Sequence, residues 1–476
     1  MIELSADRLA AGAGAAVVVE GASGRPRRAV IDSRIVETED LFFGLPGEHA
    51  DGGEHAAAAL EAGAWGVVVE PARAEALAVA APASGWVLAA RDPLLALQNL
   101  ATAWRRELGC PVVGITGSTG KTSVKDIAHA ILPWRVHASP ENFNTEIGLP
   151  LAVLSAPPET EVLVLEMAMR GSGQIAELCG IAEPDVAVIT NVGPVHLELL
   201  GTLEAIAAAK AEILAGLRPD GRAVIPSDAE ALEPHLGDRL ETITFGPGGD
   251  VFAAEHARRD GSLDARIETA GGDARFELPF TEAHNLANTV CAVAIGVALG
   301  AAVEEMARRA PDISFSRLRG ELIDLPAGSV LVNDCYNANP VSMRAALDHL
   351  ASLEVRGRRI AVLGGMAELG PEGPAYHREA GAHARQLGVD VVVGVGDLAR
   401  DYAPDEWVDE PEGAVEVVER LLGDGDAVLV KGSRSVGLER FTDELTSKLA
   451  SSSEQAPDTS SASRPGVSGS AKDEAG

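Results

Sequence analysis

Two hydrophobic patterns alternate along the chain. Continuous apolar runs occur in "PVVGIT", "EVLVLEM" and "DVAVITN", as expected for parallel strands that are covered on both faces. The segment "DPLLALQNLATAWRREL" instead repeats its apolar residues at helical spacing, with Asp92 as the expected N-cap and Pro93 in the first turn. This alternation of buried strands with helices predicts an α/β fold built on parallel sheets.

The pattern divides the chain into three blocks and a tail. Residues 1–90 contain short strand-like runs such as "GVVVE", and residues 91–312 contain the alternating strands and helices. Residues 313–450 repeat that style with "SVLVNDCYN", "RRIAVLGGM", "DVVVGVG" and "DAVLVKGS", which predicts a second, Rossmann-like sheet. Residues 451–476 are poor in large apolar side chains, so they cannot offset their ordering entropy, and we expect a disordered tail.

Composition narrows the class of protein. A length of 476 residues suggests three domains, and the net charge of −32 opposes binding to nucleic acid or to anionic membranes. The N-terminal "MIELSADRLA" lacks the features of a signal peptide, and no run is apolar enough to insert in a membrane, so we expect a cytoplasmic protein. We also expect reduced cysteines, because no C-x-x-C pair occurs. A monomer is the expected oligomeric state.

The segment "GITGSTGKTS" indicates a phosphate-binding loop. It departs from the common G-x-x-x-x-G-K-[ST] spacing, because Ile115 stands where that pattern has its first glycine. Gly117 and Gly120 let backbone N–H groups face an anion at the start of the helix "SVKDIAHAIL". Lys121 can reach the terminal phosphates, and Thr122 can hold Mg²⁺. A purely structural turn is the alternative. The residues expected to hold the phosphates are Thr116, Gly117, Ser118, Thr119, Gly120, Lys121 and Thr122.

For three polar residues elsewhere, a functional role likewise has to be weighed against a structural one. Glu166 ends a buried strand, at the edge where open α/β sheets bind ligands, and a carboxylate there is costly without a neighbouring cation. A satisfied structural glutamate is the alternative. His196 lies in the loop after another buried strand, and Lys210 falls in an alanine-rich helix. Taken alone, such a histidine is more often structural and such a lysine is more often solvated.

The loop and the segments after it resemble the Mur ligases, the amide-forming enzymes of peptidoglycan precursor assembly. Those enzymes have a T-G-x-x-G-K-T loop, and the likeness covers residues 1–450. The other segments that carry it are "SPENFNTEIGLPL", "TNVGPVHLELLGTLEAIAAAKAEIL", "EAHNLANTVCAVAIG", "NDCYNANPVSMRAAL", "VLGGMAELG" and "VLVKGSRSVGLE". The residues that depart from the family pattern at their positions are Glu141, Thr145, Cys335, Gly365 and Gly53.

The resemblance implies a catalytic set and two metal sites. The residues that it assigns to catalysis are Lys121, His196, Lys210 and Arg319. Arg317 is the rival alignment for the arginine between the second and third domains. Thr122 and Glu166 would share one Mg²⁺, and His196 would support a second Mg²⁺ together with Lys210, which we expect to be carbamylated.

The resemblance also implies where nucleotide and substrate bind. The residues expected at the nucleotide, besides the loop, are Asn285, Asn288, Asp334 and Asn337, where the first two belong to an H-N-x-x-N motif that faces adenine. Ser33 and Arg34 match the N-terminal domain that holds a UDP-sugar. The other residues expected to bind substrate are Asn142, Asn144, Asn339, Lys431 and Arg434.

The implied activity is an ATP-dependent ligation. The carboxylate of UDP-N-acetylmuramoyl-tripeptide would attack the γ-phosphate of ATP to give an acyl phosphate, which the amine of D-alanyl-D-alanine would then attack. The fold expected for this family has an N-terminal α/β substrate domain, a central P-loop-type ATPase domain with a parallel sheet, and a C-terminal Rossmann-like domain. Alternatives are a sibling ligase that adds diaminopimelate or lysine, folylpolyglutamate synthase, and a non-catalytic ATP-binding regulator. Lysine and diaminopimelate both stay open as the third peptide residue.

Overall fold

Residues 2–47, 51–80, 85–140, 142–259 and 261–454 are described by a computed structural model. The first block forms a sheet in the order β1-β5-β4-β3-β2, in which β1 is antiparallel to β5 and the other neighbours are parallel. Its elements are α1 (Ala6–Ala13), β1 (Ala16–Val19), β2 (Ala29–Val30), β3 (Leu41–Phe43), α2 (Ala56–Glu61), β4 (Gly66–Val69), α3 (Pro71–Ala80) and β5 (Trp86–Ala89).

The middle block contains a fully parallel sheet in the order β11-β10-β9-β6-β8-β7. Its elements are α4 (Pro93–Leu108), β6 (Val112–Thr116), α5 (Lys121–Ile131), β7 (Val136–Ala138), α6 (Gly148–Leu154), β8 (Val162–Glu166), α7 (Gln174–Ala182), β9 (Val186–Ile189), α8 (Leu197–Leu200), α9 (Leu203–Ala215), β10 (Arg222–Pro226) and β11 (Glu241–Phe245). Because β6 lies between β8 and β9, the loops that follow these three strands meet at one edge of the sheet.

An antiparallel sheet follows, which the sequence analysis did not predict. It is formed by β12 (Phe252–Arg259), β13 (Ser262–Thr269) and β14 (Gly272–Leu278), and the block ends with α10 (Ala283–Leu299) and α11 (Val303–Arg309). The outer strand β12 is largely exposed and contains charged residues. It therefore lacks the continuous apolar run by which the buried parallel strands were found.

The C-terminal block forms a sheet in the order β15-β16-β20-β17-β18-β19. Only β15, at one edge, runs antiparallel to its neighbour. Its elements are β15 (Glu321–Asp324), β16 (Val330–Asn333), α12 (Pro340–Ser352), β17 (Arg359–Gly364), α13 (Gly373–Gln386), β18 (Val391–Val395), β19 (Glu406–Val408), α14 (Pro411–Leu421), β20 (Ala427–Lys431) and α15 (Glu439–Glu454).

The predicted α/β class with parallel sheets is confirmed. The Asp92 carboxylate accepts hydrogen bonds from the N–H groups of Leu94 and Leu95 at 2.9 and 3.0 Å, so it caps α4 as expected. Helix α15 ends at Glu454, so it includes the first four residues of the predicted tail. The rest of the predicted tail lies outside the described residues, and the exact domain boundaries stay predictions.

Two further expectations concern cysteines and membranes. Every cysteine of the chain is buried and forms no disulfide, which agrees with the prediction of reduced thiols. Within the described ranges, no helix is both long and apolar enough to span a bilayer.

Helix α4 joins the first two blocks through one hydrophobic core. It packs against α1 on one side and against α6 on the other. The indole of Trp104 is buried in this core and donates a hydrogen bond to the carbonyl of Ala156 at 3.1 Å. This side chain therefore both fills the junction and satisfies its polar atom.

We expect Trp104→Ala to lower the free energy of unfolding by about 3–5 kcal/mol, because it leaves a large cavity and an unpaired carbonyl. Urea denaturation of the purified variant measures this change. Val79→Ala is the control, since Val79 is 89% exposed and its truncation should have almost no effect. Equal stability of the two variants would contradict this account of the core.

Candidate active site

The phosphate-binding loop connects β6 to α5 and depends on two glycines. Gly117 has φ of +151°, and a Cβ atom there would lie 1.9 Å from the Thr190 hydroxyl. Gly120 has φ of +77°, and a Cβ atom there would lie 2.6 Å from Oδ1 of Asn288. Both positions therefore require glycine, for conformation and for space. The loop delivers its backbone directly to the N-terminus of α5, where anions are favoured.

Asn191 supports this loop from the end of the neighbouring strand β9. Its Oδ1 accepts hydrogen bonds from the N–H groups of Ser118 and Thr119 at 3.1 and 2.9 Å. The sequence analysis did not single out Asn191, although it belongs to the same "TNVGPVH" segment as His196. Its position after a buried strand beside the loop was the signal that could have identified it.

Thr122 and Glu166 meet at the adjacent ends of α5 and β8. The Thr122 hydroxyl donates to Oε2 of the buried Glu166 carboxylate at 2.9 Å, and Asn144 Nδ2 donates to Oε1 at 2.9 Å. The sequence-predicted metal pair is therefore brought together, with a predicted substrate residue beside it. A hydroxyl and a carboxylate are the oxygen donors that Mg²⁺ prefers, so the side chains present fit this ion.

Lys121 lies across the loop, and its ammonium group donates to the carbonyl of Gly117 at 2.8 Å. Burial lowers the pKa of Lys121; the Glu166 carboxylate opposes this effect and Arg319 adds to it. An anion such as a phosphate group would compensate the two cations that converge here.

Arg319 reaches the site from the linker that precedes β15. Its Nη2 lies 3.3 Å from the Thr122 hydroxyl, and its guanidinium stacks 4.1 Å from the ring centroid of Tyr336. Arg317 is exposed and lies 3.9 Å from Asp443. The structure thus places Arg319, and not its rival in the sequence alignment, beside the phosphate-binding loop. Tyr336 was part of a recognised motif, but no role had been assigned to it.

His196 forms a contact between the middle and C-terminal blocks. It precedes α8 with φ of +54°, and its Nδ1 forms a hydrogen bond with the carboxylate of Glu368 in the "GGMAELG" segment. Burial lowers the pKa of His196, while the bond to Glu368 opposes that shift. Glu368 is a second site residue that the sequence analysis named only as part of a motif.

Lys210 lies on α9 and is only 1% exposed. Its pKa is well below the ordinary lysine value, because of burial first and the charge of Lys121 second. In the described part of the chain, no cluster of three or more His, Cys, Asp or Glu side chains forms a ready metal cage. The second metal site therefore stays a prediction, although His196 and Lys210 line the same cavity.

Two cavities adjoin at these residues. The α10 cavity, of about 550 Å³, extends from the loop to α10, and the α9 cavity, of about 610 Å³, extends from the loop to Lys210. The side chains and loop residues common to both are Ser118, Lys121, Glu166, Arg319, Asn337 and Asn339. Two ligands could therefore meet at the phosphate-binding loop, one from each cavity.

The α10 cavity contains the residues predicted to bind the nucleotide. Asn285 and Asn288 are joined by a hydrogen bond of 3.1 Å and lie on its wall, with Asp334 and Asn337 opposite on the C-terminal block. Lys431, predicted to bind substrate, is buried here instead and pairs with Asp334 at 2.6 Å. Its ammonium group therefore already has a structural partner.

The α9 cavity contains most of the predicted substrate residues. The members that line it are Asn142, Asn144, Asn339 and Arg434. Asn339 also has a structural role, because its Oδ1 caps α12 by accepting from the N–H of Ser342 at 3.0 Å. Arg434 is half exposed, lies 3.4 Å from Glu439, and is 5.9 Å from the Tyr336 ring centroid.

Ser33 and Arg34 are not brought to either cavity. They form a short turn in the N-terminal block, where the Asp32 carboxylate accepts from the backbone and the side chain of Arg34. This guanidinium lowers the pKa of Asp32 to about 2. Their proposed contact with a UDP-sugar stays a prediction.

Comparison with known proteins finds relatives that match over most of both chains. Residues 115–296 match the Mur ligase middle domain, and residues 318–434 match the Mur ligase glutamate ligase domain. The UDP-N-acetylmuramoyl-tripeptide–D-alanyl-D-alanine ligase of Bacillus subtilis (strain 168) is 36% identical, over 87% of this chain and 92% of that enzyme. The ligase of the same name from Escherichia coli (strain K12) is 32% identical, over 86% and 91% respectively.

Solved structures are similar over nearly the whole chain. A crystal structure of MurF from Acinetobacter baumannii has a TM-score of 0.83 at 28% identity and covers 93% of this chain and 98% of that one. MurF ligase from Thermotoga maritima, solved in complex with ADP, has a TM-score of 0.78 at 31% identity, over 90% and 98%.

We expect Arg319→Ala to weaken ATP binding about tenfold or more, because it removes a cation that faces the phosphate-binding loop. Isothermal titration calorimetry with ATP measures the loss. Arg317→Ala is the matched control and should stay within about twofold of the unaltered protein, since that side chain is exposed. A larger loss of ATP affinity in Arg317→Ala than in Arg319→Ala would assign the contact with ATP to Arg317.

Proposed function

Because this chain belongs to the Mur ligase family, we propose that it is an ATP-dependent ligase that joins D-alanyl-D-alanine to UDP-N-acetylmuramoyl-tripeptide in peptidoglycan precursor synthesis. The observation that carries this proposal is the meeting of two cavities at Lys121, Glu166 and Arg319. An amide ligase needs such a junction, since ATP and the acceptor carboxylate must approach from different sides.

The residues of the junction support activation of a carboxylate. A carboxylate and an amine do not condense in water, so the tripeptide carboxylate first attacks the γ-phosphate and becomes an acyl phosphate. Lys121 and Arg319 both contact the loop and would neutralise the phosphate charge, while the loop glycines would let backbone N–H groups approach it. The amine of the dipeptide then attacks the acyl carbon, and phosphate leaves. Alignment accounts for most of the rate, because the protein contributes no covalent intermediate.

Thr122 and Glu166 would hold one Mg²⁺ beside the phosphates. The ion, when bound, supplies further positive charge at the phosphate oxygens. Asn144 orients the Glu166 carboxylate by its hydrogen bond of 2.9 Å, so it acts on the metal site through that residue. A second Mg²⁺ is proposed near His196 and Lys210, both of which line the α9 cavity.

The proposal is tested with purified protein, ATP and D-alanyl-D-alanine, with ADP release and product mass as the two measurements. We expect both signals only when UDP-N-acetylmuramoyl-tripeptide is also present. Parallel reactions with the lysine-containing and the diaminopimelate-containing tripeptide decide which peptide this enzyme prefers. Lys121→Ala is the control and should lose turnover by orders of magnitude while it keeps its fold.

Other outcomes would contradict the assignment. Addition of diaminopimelate or lysine to the UDP-linked dipeptide would identify a sibling ligase. Nucleotide binding without any ADP release, with every acceptor tried, would favour a non-catalytic ATP-binding protein.

Lys210 is proposed to carry a carbamate. An ammonium group would repel Mg²⁺, and the burial that lowers the pKa of Lys210 favours a neutral amine. Such an amine can add to CO₂, with loss of a proton, to form a carbamate whose oxygen atoms suit Mg²⁺.

We therefore expect Lys210→Ala to be nearly inactive and to regain part of its turnover in acetate, which can place a carboxylate in the vacated space. The same acetate concentration should not rescue Lys121→Ala, which serves as the control. Full turnover of Lys210→Ala without added acid would exclude the carbamate.

A further inference from the structure

A buried carboxylate and a buried imidazole face each other between the middle and C-terminal blocks. Glu282 immediately precedes α10, and His349 lies in the last turn of α12. Their side chains are 6% and 3% exposed, and Oε1 of Glu282 lies 3.4 Å from Nε2 of His349. Neither residue lines the α10 cavity or the α9 cavity in the described part of the chain. We refer to them as the Glu282–His349 pair.

The pair is incompletely satisfied. Oε2 of Glu282 accepts from the N–H of Thr281 at 3.1 Å, but neither ring nitrogen of His349 has a hydrogen-bond partner among the described residues. Buried polar groups without partners are uncommon and call for an explanation. A shift of a few tenths of an ångström would bring the imidazole N–H within hydrogen-bond distance of the carboxylate, so this bond would be sensitive to how α12 packs against the start of α10.

The pair lies next to several elements that form the site. A Cβ atom on Gly320 would lie 4.0 Å from Oε1 of Glu282, so the linker that contains Arg319 passes directly beside the pair. Helix α10 presents Asn288 to the α10 cavity, and the first turn of α12 presents Ser342 to the same cavity. The pair therefore lies where two walls of the cavity and the arginine linker converge.

We propose that the Glu282–His349 pair holds α12 against the start of α10 and thereby positions Arg319 and the walls of the α10 cavity for nucleotide binding. The two residues are positioning residues, since they act through α10, α12 and the linker and not by contact with a ligand. The proposal deepens the proposed function, on which its turnover measurement rests, whereas its nucleotide-affinity measurement does not depend on the identity of the acceptor.

The charges around the pair determine how it responds to pH. Arg258 on β12 and Asp334 after β16 act on His349. His284 on α10 interacts with both members of the pair and with Lys431 on β20. Burial lowers the pKa of His349; Glu282 and Asp334 oppose this effect, and Arg258 adds to it. Protonation of His349 is therefore harder in the packed arrangement than in water, where a histidine titrates near about 6.5. As pH falls below that value, the packed arrangement should lose stability relative to a separated one.

The first experiment compares two substitutions of His349. His349→Leu removes the imidazole that faces Oε1 of the buried Glu282 carboxylate, so we expect ADP affinity to fall about tenfold at pH 7.5, measured by calorimetry. His349→Gln keeps an N–H donor at similar reach and should stay within about twofold of the unaltered enzyme. As pH falls from 7.5 to 6.0, the unaltered enzyme should lose more ADP affinity than His349→Gln, because glutamine does not titrate. His284 is present in both proteins, but its own titration depends on the charge of His349, so the comparison reports on the two imidazoles together.

A matched control lies on α13, the helix that packs beside α12. His383 forms a 2.7 Å contact with Asp348, but both residues belong to the C-terminal block. We expect His383→Leu to leave ADP affinity and its pH dependence unchanged, because that contact does not cross between blocks.

Glu282→Gln provides an independent test if a His349 variant folds poorly. It keeps an acceptor for the imidazole but removes the charge that favours its protonation, so the loss of ADP affinity at pH 6.0 should become larger.

Unchanged ADP affinity and unchanged pH dependence in both His349→Leu and Glu282→Gln would overturn the proposal. So would a lower melting temperature with unaltered nucleotide binding, which would mean a structural role alone. Absence of ligation by the unaltered enzyme would refute the proposed function but leave these ADP affinities decisive for the pair.

Discussion

The hydrogen bond between Thr122 and Glu166 ties together the functional part of this molecule. A carboxylate at the end of a buried strand cannot stay without partners, and here it receives the Thr122 hydroxyl and the Asn144 amide. The bond fixes the start of α5 to the end of β8, and it can form only because β6 and β8 are neighbours in a parallel sheet. The loop, the candidate metal site and the contact from Arg319 all depend on that adjacency.

The middle and C-terminal blocks share the site through a small number of polar contacts. Arg319 reaches Thr122 from the linker, Glu368 binds His196, and the N–H of Ser316 donates to Asp126 at 2.9 Å. Polar contacts of this kind break at lower cost than an apolar core, so they would permit one block to move against the other. The same reasoning explains why a buried but unsatisfied pair can lie at this boundary.

Several residues have both a structural role and a predicted role in the site. Lys431 was expected to contact substrate, yet its charge is compensated by Asp334, so its first role is to join β20 to the loop after β16. Asn339 likewise caps α12 while it lines both cavities. Motifs of this kind therefore encode the framework of a site as well as its contacts with ligands.

The sequence by itself determined the α/β class, the buried parallel strands, the N-cap of α4 and the glycine positions of the loop between β6 and α5. Each of these is a local property, since it follows from apolar runs, from a capping residue, or from glycines at positions that no other residue fits. Tertiary structure alone decided that Asn191 supports the loop, that Glu368 meets His196, and that Arg319 enters the site while Arg317 does not. Those contacts join residues far apart in the chain, and their formation depends on sheet order and on how the blocks pack, neither of which is encoded in local spacing.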